Sequence, residues 1–425
     1  MLGGIKMDLS KIIEKKSGYA KYMYQEIRYI CTKFEKRNPG SKGELQACQY
    51  MGDVMKRLGC DRVEVEEFKE NPKSFFGWIY ITILCVLAAI ALFCVGVGVG
   101  GSLSKIFPII GAVLIVFGLL LALLQFGFYK KAVDFLFPEE TGHNVTAYKA
   151  PTGEVKRRIV FNGHPDAAWE WPVNYALGGV GFESHAIICA VGAVFYIVLS
   201  IIAAVMAFKG QDLAHVWHAG LWGLFFVPFE FGLYFMVNWR RVVDGANDNL
   251  SGCYMGIAIL KALKDEQIEL ENTEICVCLT GSEEAGLRGS KAWCEAHPDA
   301  FKDVPTFIYS YDTIHDPKYL LVNYRDLNAT VKADKDVSDL FMECAEELGV
   351  ICKKGMVPPL GGATDNAAFS QAGLRSTGIT GLNHKLESYY HTRKDSYDNM
   401  NMEGLADCFA VSVKVLEKFD NGAKQ

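Results

Sequence analysis

The sequence lacks a basic surplus, a CxxC pair, and any repeated or low-complexity tract. Its 425 residues carry 43 Lys and Arg against 49 Asp and Glu, a formal charge of -6. The basic residues are scattered rather than massed, so nucleic acid is not an expected partner. Thirteen cysteines are present, but Cys85, Cys94 and Cys189 lie inside apolar runs and none has metal-knuckle spacing. They are read as reduced thiols and small core residues rather than a disulfide framework. The opening stretch MLGGIKMDLSKIIEKKSGYAK is charged throughout and has no apolar core followed by a small-residue cleavage site. The expectation is therefore no secretory leader and a cytosolic N-terminus.

Charge is missing from two long blocks as well. The first, Phe75 to Phe128, divides at GVGGSLSK into residues 75–98 and 106–128, neither with a charged residue. The second gives residues 186–208 and 216–237, separated by KGQDLAH. Each run exceeds the ~18 apolar residues that mark a candidate membrane span. Four spans in two helical hairpins are expected, with residues 75–128 and 185–238 as the insertions. Glu230, in VPFEFGLYF, is the one acid within them; a structural pairing is expected for it rather than a catalytic role. Each hairpin returns the chain to the side it left. That side carries Lys69, Lys73, Lys130, Lys131, Arg240 and Arg241, while the opposite loops carry Lys105 and Lys209. The positive-inside rule then makes the soluble part cytoplasmic and the lipid bilayer a partner.

The remaining segments, 1–74, 129–184 and 239–425, suit one discontinuous domain. Helical patterns such as GELQACQYMGDVMKRLG, GCYMGIAILKALKDE and VSDLFMECAEELG alternate with strand-like runs RVEVEEF, TEICVCLT, PTFIYSY and RSTGIT. Two more strand-like runs flank the Pro-Thr-Gly turn in NVTAYKAPTGEVKRRIVFNG. Alternation of this kind predicts an α/β domain with a mostly parallel central sheet, and ligands gather at the carboxyl ends of such strands.

Polar clusters occupy those ends: NGHPD, GSEE and SYDT follow strands, and DGANDNLSG and YYHTRKD sit in loops. They supply His164, Asp248, Glu284, Asp312 and His391 as candidate metal ligands. Two imidazoles with three carboxylates suit a pair of zinc ions better than magnesium or calcium. A pair held by a bridging carboxylate fits hydrolytic chemistry. Taken singly, His-x-Asp also reads as a capped turn, adjacent glutamates as a solvated face, and an aspartate after a strand as a helix cap.

The order of these clusters, from RNPGSKGE to beyond YHTRKD, resembles the family-twenty-eight di-zinc metallopeptidases, which include bacterial leucyl aminopeptidases, glutamate carboxypeptidases and glutaminyl cyclases. The resemblance implies a three-layer α/β/α zinc-exopeptidase domain with a mixed sheet. It also implies that His164 and Asp312 bind one zinc, Glu284 and His391 the other, and Asp248 both. Asp166 is then the carboxylate behind His164 and Glu283 the general base and acid. If the backbone there is extended, Glu283 and Glu284 point in opposite directions. A cis peptide at Asp248–Asn249 is also implied.

GGATDNAAFSQAG matches a family segment close to the substrate site, although Thr364 or Asp365 as a helix N-cap explains it equally well. His315 and His384 lie near matched motifs; His143, His185, His215, His218 and His297 have no partner pattern. Asp395 either orients His391 or caps the next turn. Two features depart from compact family members: the second hairpin separates Asp166 from Asp248, and the first interrupts a strand pair near the N-terminus. Hairpin ends lie close together, so such insertions leave a core intact. The implied activity is a membrane-integrated exopeptidase, an aminopeptidase acting on peptides. A carboxypeptidase or dipeptidase, with Arg288 and Arg325 available for a terminal carboxylate, is the near alternative, and a non-catalytic scaffold or receptor the more distant one.

Overall fold

In the computed structural model, residues 7–383 and 387–423 are described, so His384 falls outside them. The chain divides into two units. One comprises Met1–Pro72, Glu139–Glu170 and Trp239–Gln425, the other Lys73–Pro138 and Trp171–Asn238.

The first unit is built on alternation. Strands β1 (Arg62–Glu70), β2 (Glu140–Lys149) and β3 (Arg157–Gly163) are followed by the short pair β4 (Trp169–Glu170) and β5 (Asn238–Val242). Next come β6 (Thr273–Thr280), β7 (Thr306–Ile314) and β8 (Leu321–Asn323), the short pair β9 (Arg325–Asp326) and β10 (Val331–Lys332), then β11 (Lys353–Gly355) and β12 (Ser376–Gly381). Eight strands form one sheet in the order β1-β2-β6-β3-β7-β12-β8-β11. Its centre, β6-β3-β7-β12, is parallel and its flanks include antiparallel pairs. The sheet is thus mixed, as expected.

Successive side chains of a strand face opposite ways, and here both faces are apolar. Ile159, Phe161, Ile275, Val277, Phe307 and Tyr309 pack with the helices Lys16–Lys33, Lys42–Arg57, Ser251–Asp265, Lys335–Glu347 and Met402–Asp420. The alternate residues Val160, Cys276, Cys278 and Ile308 face Trp293 and Phe369, on the helices Arg288–Ala296 and Asn366–Gln371. Burial on both faces produces the three layers. Each fully buried large apolar side chain contributes about 1.5–3 kcal/mol.

Both interruptions of this unit have ends that meet. Glu70 pairs with Glu140 at the end of the β1–β2 ladder, and the β4–β5 pair sets Trp169 on Trp239, with ring centroids 4.9 Å apart.

The second unit is helical. Among the described residues, three helices are long and apolar enough to cross a membrane: Ser74–Val99, Leu103–Gly127 and Pro172–Phe208. The expected fourth span is not one such helix. It is a succession of Ala214–Gly223, Leu224–Phe226, Val227–Gly232 and Leu233–Phe235, alternating α and 3-10 turns. Pro228 lacks an N–H and Gly223 and Gly232 favour no helix, which accounts for the breaks. The helix Pro172–Phe208 begins well before the apolar run at 186, and Gly178 interrupts it at φ 68°. Glu230 is buried, its Oε1 3.1 Å from where a Cβ on Gly192 would lie. Its Oε1 has no hydrogen-bond partner among the described residues, so the expected pairing is not seen at that atom.

Candidate metal centre

The parallel strands bring their carboxyl ends to one edge of the sheet. His164 and Asp166 follow β3, Glu283 and Glu284 follow β6, and Asp312 lies near the end of β7. Asp248 comes from the turn ahead of the helix Ser251–Asp265, and His391 from the loop beyond β12. All of these candidate residues converge. His164, Asp248 and Asp312 form one triad of ligand atoms within 4.8 Å of one another, and Asp248, Glu284 and His391 form a second. Asp248 belongs to both: its Oδ1 is 3.3 Å from His164 Nε2 and its Oδ2 3.2 Å from His391 Nε2. Glu284 Oε2 is 3.2 Å from His391 Nε2, and Glu283 Oε2 is 3.8 Å from His164 Nε2. The Asp248–Asn249 peptide is cis.

Two aspartates hold the backbone of this cluster. Asp166 Oδ1 lies 3.2 Å from His164 Nδ1, and the two Asp166 oxygens accept the N–H groups of Glu283 and Glu284 at 3.1 Å each. Asp395 does the same for the other loop, accepting from the backbone of Asn247 at 2.9 Å and of Asp248 at 3.1 Å. It therefore serves the Asp248 turn rather than the two roles considered from sequence. Buried Arg37 joins the loops, donating to the carbonyls of Pro165, Asp244 and Gly245.

The two glutamates do not lie on extended backbone. Ser282 takes a left-handed conformation at φ 56°, and Glu283–Ala285 form a 3-10 turn. At three residues per turn, neighbouring side chains diverge by roughly a third of a turn, which separates the two carboxyls by a different route. Asp365 sits at the N-cap position of its helix but makes no capping bond; instead it accepts from Thr280 Oγ1 at 2.6 Å. His315 Nε2 meets the Asn399 carbonyl at 2.7 Å, and its ring packs on Tyr389.

Electrostatically the cluster is overloaded with acid. Burial drives Glu283 well above the usual carboxylate range, with Asp312 and Glu284 adding to the rise and His164 opposing it. Burial pushes Glu284 up to about 7 although His391 pulls against it. Burial disfavours a charged His391, yet Glu284 and Asp248 outweigh it and raise the imidazole to about 10. Asp248 is held low despite burial by the two imidazoles beside it, His164 and His391. Asp166, Asp248, Glu283, Glu284 and Asp312 thus crowd against two imidazoles. His164 Nε2, Asp248 Oδ2 and Glu284 Oε1 are buried without a hydrogen-bond partner among the described residues. Imidazole nitrogens and carboxylate oxygens converging in this way fit zinc.

The sequence patterns singled out the ligands but gave no role to Arg37, Glu44, Glu70 or Ser282. Arg37 and Glu44 lie in RNPGSKGE, Ser282 in GSEE, and Asp365 in GGATDNAAFSQAG, the segment matched close to the substrate site.

Comparison with known proteins agrees with this geometry. The model of peptidase family M28 matches residues 230–416. No curated protein matches the chain. A zinc aminopeptidase from Bacillus subtilis has a similar structure, with TM-score 0.54 and 14% identity over 94% of this chain and 95% of that one. An aminopeptidase from Aneurinibacillus sp. strain AM-1 gives TM-score 0.53 and 15% identity over 94% and 95%. The glutaminyl cyclase of Bacteroides thetaiotaomicron gives 0.52 and 12% over 95% and 97%. At such identities these structures share the fold. Together with the family match over residues 230–416, they make this chain similar to the metallopeptidases of family M28.

Proposed function

We propose that the protein is a membrane-integrated di-zinc exopeptidase, an aminopeptidase that removes N-terminal residues from peptides. The observation that carries this reading is the pair of triads sharing Asp248, buried except for the half-buried Asp312. His164 and Asp312 would hold one zinc, Glu284 and His391 the other, and Asp248 would belong to both. Zinc bound there supplies a Lewis acid for the scissile carbonyl and lowers the pKa of water towards ~7.

The chain's own residues do the rest. Glu283 belongs to neither triad, so its carboxylate is available to take a proton from the attacking water and hand it to the leaving nitrogen. Asp166, whose Oδ1 is 3.2 Å from His164 Nδ1, would orient that ring, and it accepts the backbone N–H groups of both glutamates. Arg288 Nε donates to the Ala285 carbonyl and Arg325 Nη1 to that of Ala329; each guanidinium has further N–H donors, so a carboxypeptidase or dipeptidase stays the near alternative.

Membrane integration is supported by the apolar helices of the second unit. Leu103–Gly127 leaves most of its apolar window unburied, and Val113, Val116, Phe117 and Leu120 are exposed. A contiguous apolar surface of that kind is disfavoured in water.

Metal analysis of the purified protein, with turnover of aminoacyl and N-blocked peptides, tests the assignment. Glu283→Gln is expected to keep its zinc and lose turnover by about 10²–10⁴-fold, whereas Glu284→Ala loses metal at one site. Equal metal loss in both variants would overturn the division of roles, and cleavage of N-blocked peptides would exclude an aminopeptidase.

A further inference from the structure

Next to the ligand triads lies a second group of buried acids that the proposed reaction does not use. Glu44, on the helix Lys42–Arg57, and Glu70, at the end of β1, are 0% and 4% exposed. Both reach the same hydroxyl: Ser282 Oγ is 2.7 Å from Glu44 Oε1 and 2.5 Å from Glu70 Oε1. A serine hydroxyl carries a single proton, and ionised carboxylates carry none. A second proton, with one glutamate donating to Ser282 Oγ while Ser282 donates to the other, would satisfy both short contacts at once.

The space is shaped for these carboxyls. A Cβ on Gly281 would fall 2.7 Å from Glu44 Oε1, one on Gly142 2.9 Å from Glu70 Oε1, and one on Gly40 3.2 Å from Glu70 Oε1. The groups facing the pair are of both signs, and Arg288 opposes the rise at Glu70. His143 Nδ1 lies 3.6 Å from Glu44 Oε2, and Asp166 acts on both glutamates. Arg288 acts on Glu70, and Cys48 turns its thiol to the His143 carbonyl. Burial raises both carboxyls well above their usual range, reinforced by Asp166 at Glu44 and by Glu44 at Glu70, with Ser282 opposing.

Ser282 is also the left-handed residue immediately before Glu283. Asp166 holds the backbone at Glu283 and Glu284, so a second grip on Ser282 fixes the turn from its other end. We propose that Glu44, Ser282 and Glu70 form a clamp, sharing one proton between the two carboxyls, that aims the Glu283 carboxylate. These are positioning residues, and the proposal rests on the assignment of Glu283 as the proton-transfer group.

The test uses the full-length, zinc-loaded protein in detergent. Ser282→Ala and Glu70→Ala are expected to lower kcat at least tenfold with KM and zinc content unchanged. Glu70→Gln, whose amide can still hydrogen-bond Ser282, recovers most of the loss. Infrared difference spectra between the wild type and the Glu44→Gln and Glu70→Gln variants are expected to reveal the C=O band of a buried carboxylic acid at neutral pH, lost in at least one variant. Wild-type kcat in Ser282→Ala, or no such band lost in either variant, would overturn the clamp. If Glu283→Gln retained full turnover while the band persisted, the assignment of Glu283 would fail and the shared proton would stand.

Discussion

The Asp365 carboxyl is 3% exposed and raised to about 7. Burial causes the rise, and the His164 imidazole and the hydroxyls of Ser290 and Thr280 oppose it. The sign of its linkage follows. A carboxyl whose folded pKa lies above its ordinary value of 3.8 contributes stability that is fully present below that value and lost as pH rises through the folded pKa. Metal-free protein should therefore melt at progressively lower temperature between about pH 4 and about pH 7. Asp365→Asn cannot ionise and should shallow that slope. Thermal melts of chelator-treated protein across this range check it; an unchanged slope in the variant would place the titration elsewhere.

At the scale of elements, close approach of backbones decides where the ligands stand. Gly163 ends β3, immediately before His164, and a Cβ there would lie 2.6 Å from Cys253 N and 2.7 Å from the Gly252 carbonyl carbon. The strand end and the helix Ser251–Asp265 meet at that point, which brings His164 towards Asp248. Gly163→Ala should destabilise the protein by about 1–3 kcal/mol or more and weaken zinc retention. Gly18 offers the contrast: it lies within the helix Lys16–Lys33 with nothing within 4 Å of a Cβ. Gly18→Ala should stabilise by about 0.5–1 kcal/mol. Melting temperatures with zinc content in detergent compare the two; a harmless Gly163→Ala would show that the strand end has room to shift.

For the whole molecule, the two interruptions leave the peptidase unit where its chain ends already meet, at Glu70 opposite Glu140 and at Trp169 beside Trp239. The second returns the chain only a few residues ahead of Asp248. If the chain is membrane-integrated as proposed, Lys130, Lys131, Arg240 and Arg241, which follow the apolar runs in sequence, would by the positive-inside rule put those chain ends in the cytoplasm. A reporter fused after Gln425 should be active when it is one that works in the cytoplasm. Activity solely from a reporter that requires export would reverse the topology.

By itself, the sequence determined the strand-like runs of the central sheet, the apolar runs of which three are long helices, and the identity of the metal-ligand candidates. These are legible because strand and helix periodicity, charge-free length and the chemistry of His, Asp and Glu are local properties. The candidate ligands were found as short clusters at strand ends. The parts played by Arg37, Asp365, Glu44 and Glu70 were not legible, although quoted motifs contained three of them, because each acts on a segment far away in the chain: Arg37 on Gly245, Asp365 on Thr280, and both glutamates on Ser282. Local spacing also misjudged the turn at Glu283. Extended backbone was expected there, but the left-handed Ser282 is held by residues from the first helical layer and the first strand. Only the tertiary structure decided that turn, because a backbone conformation unfavourable to a lone serine becomes stable once distant carboxyls close on its hydroxyl.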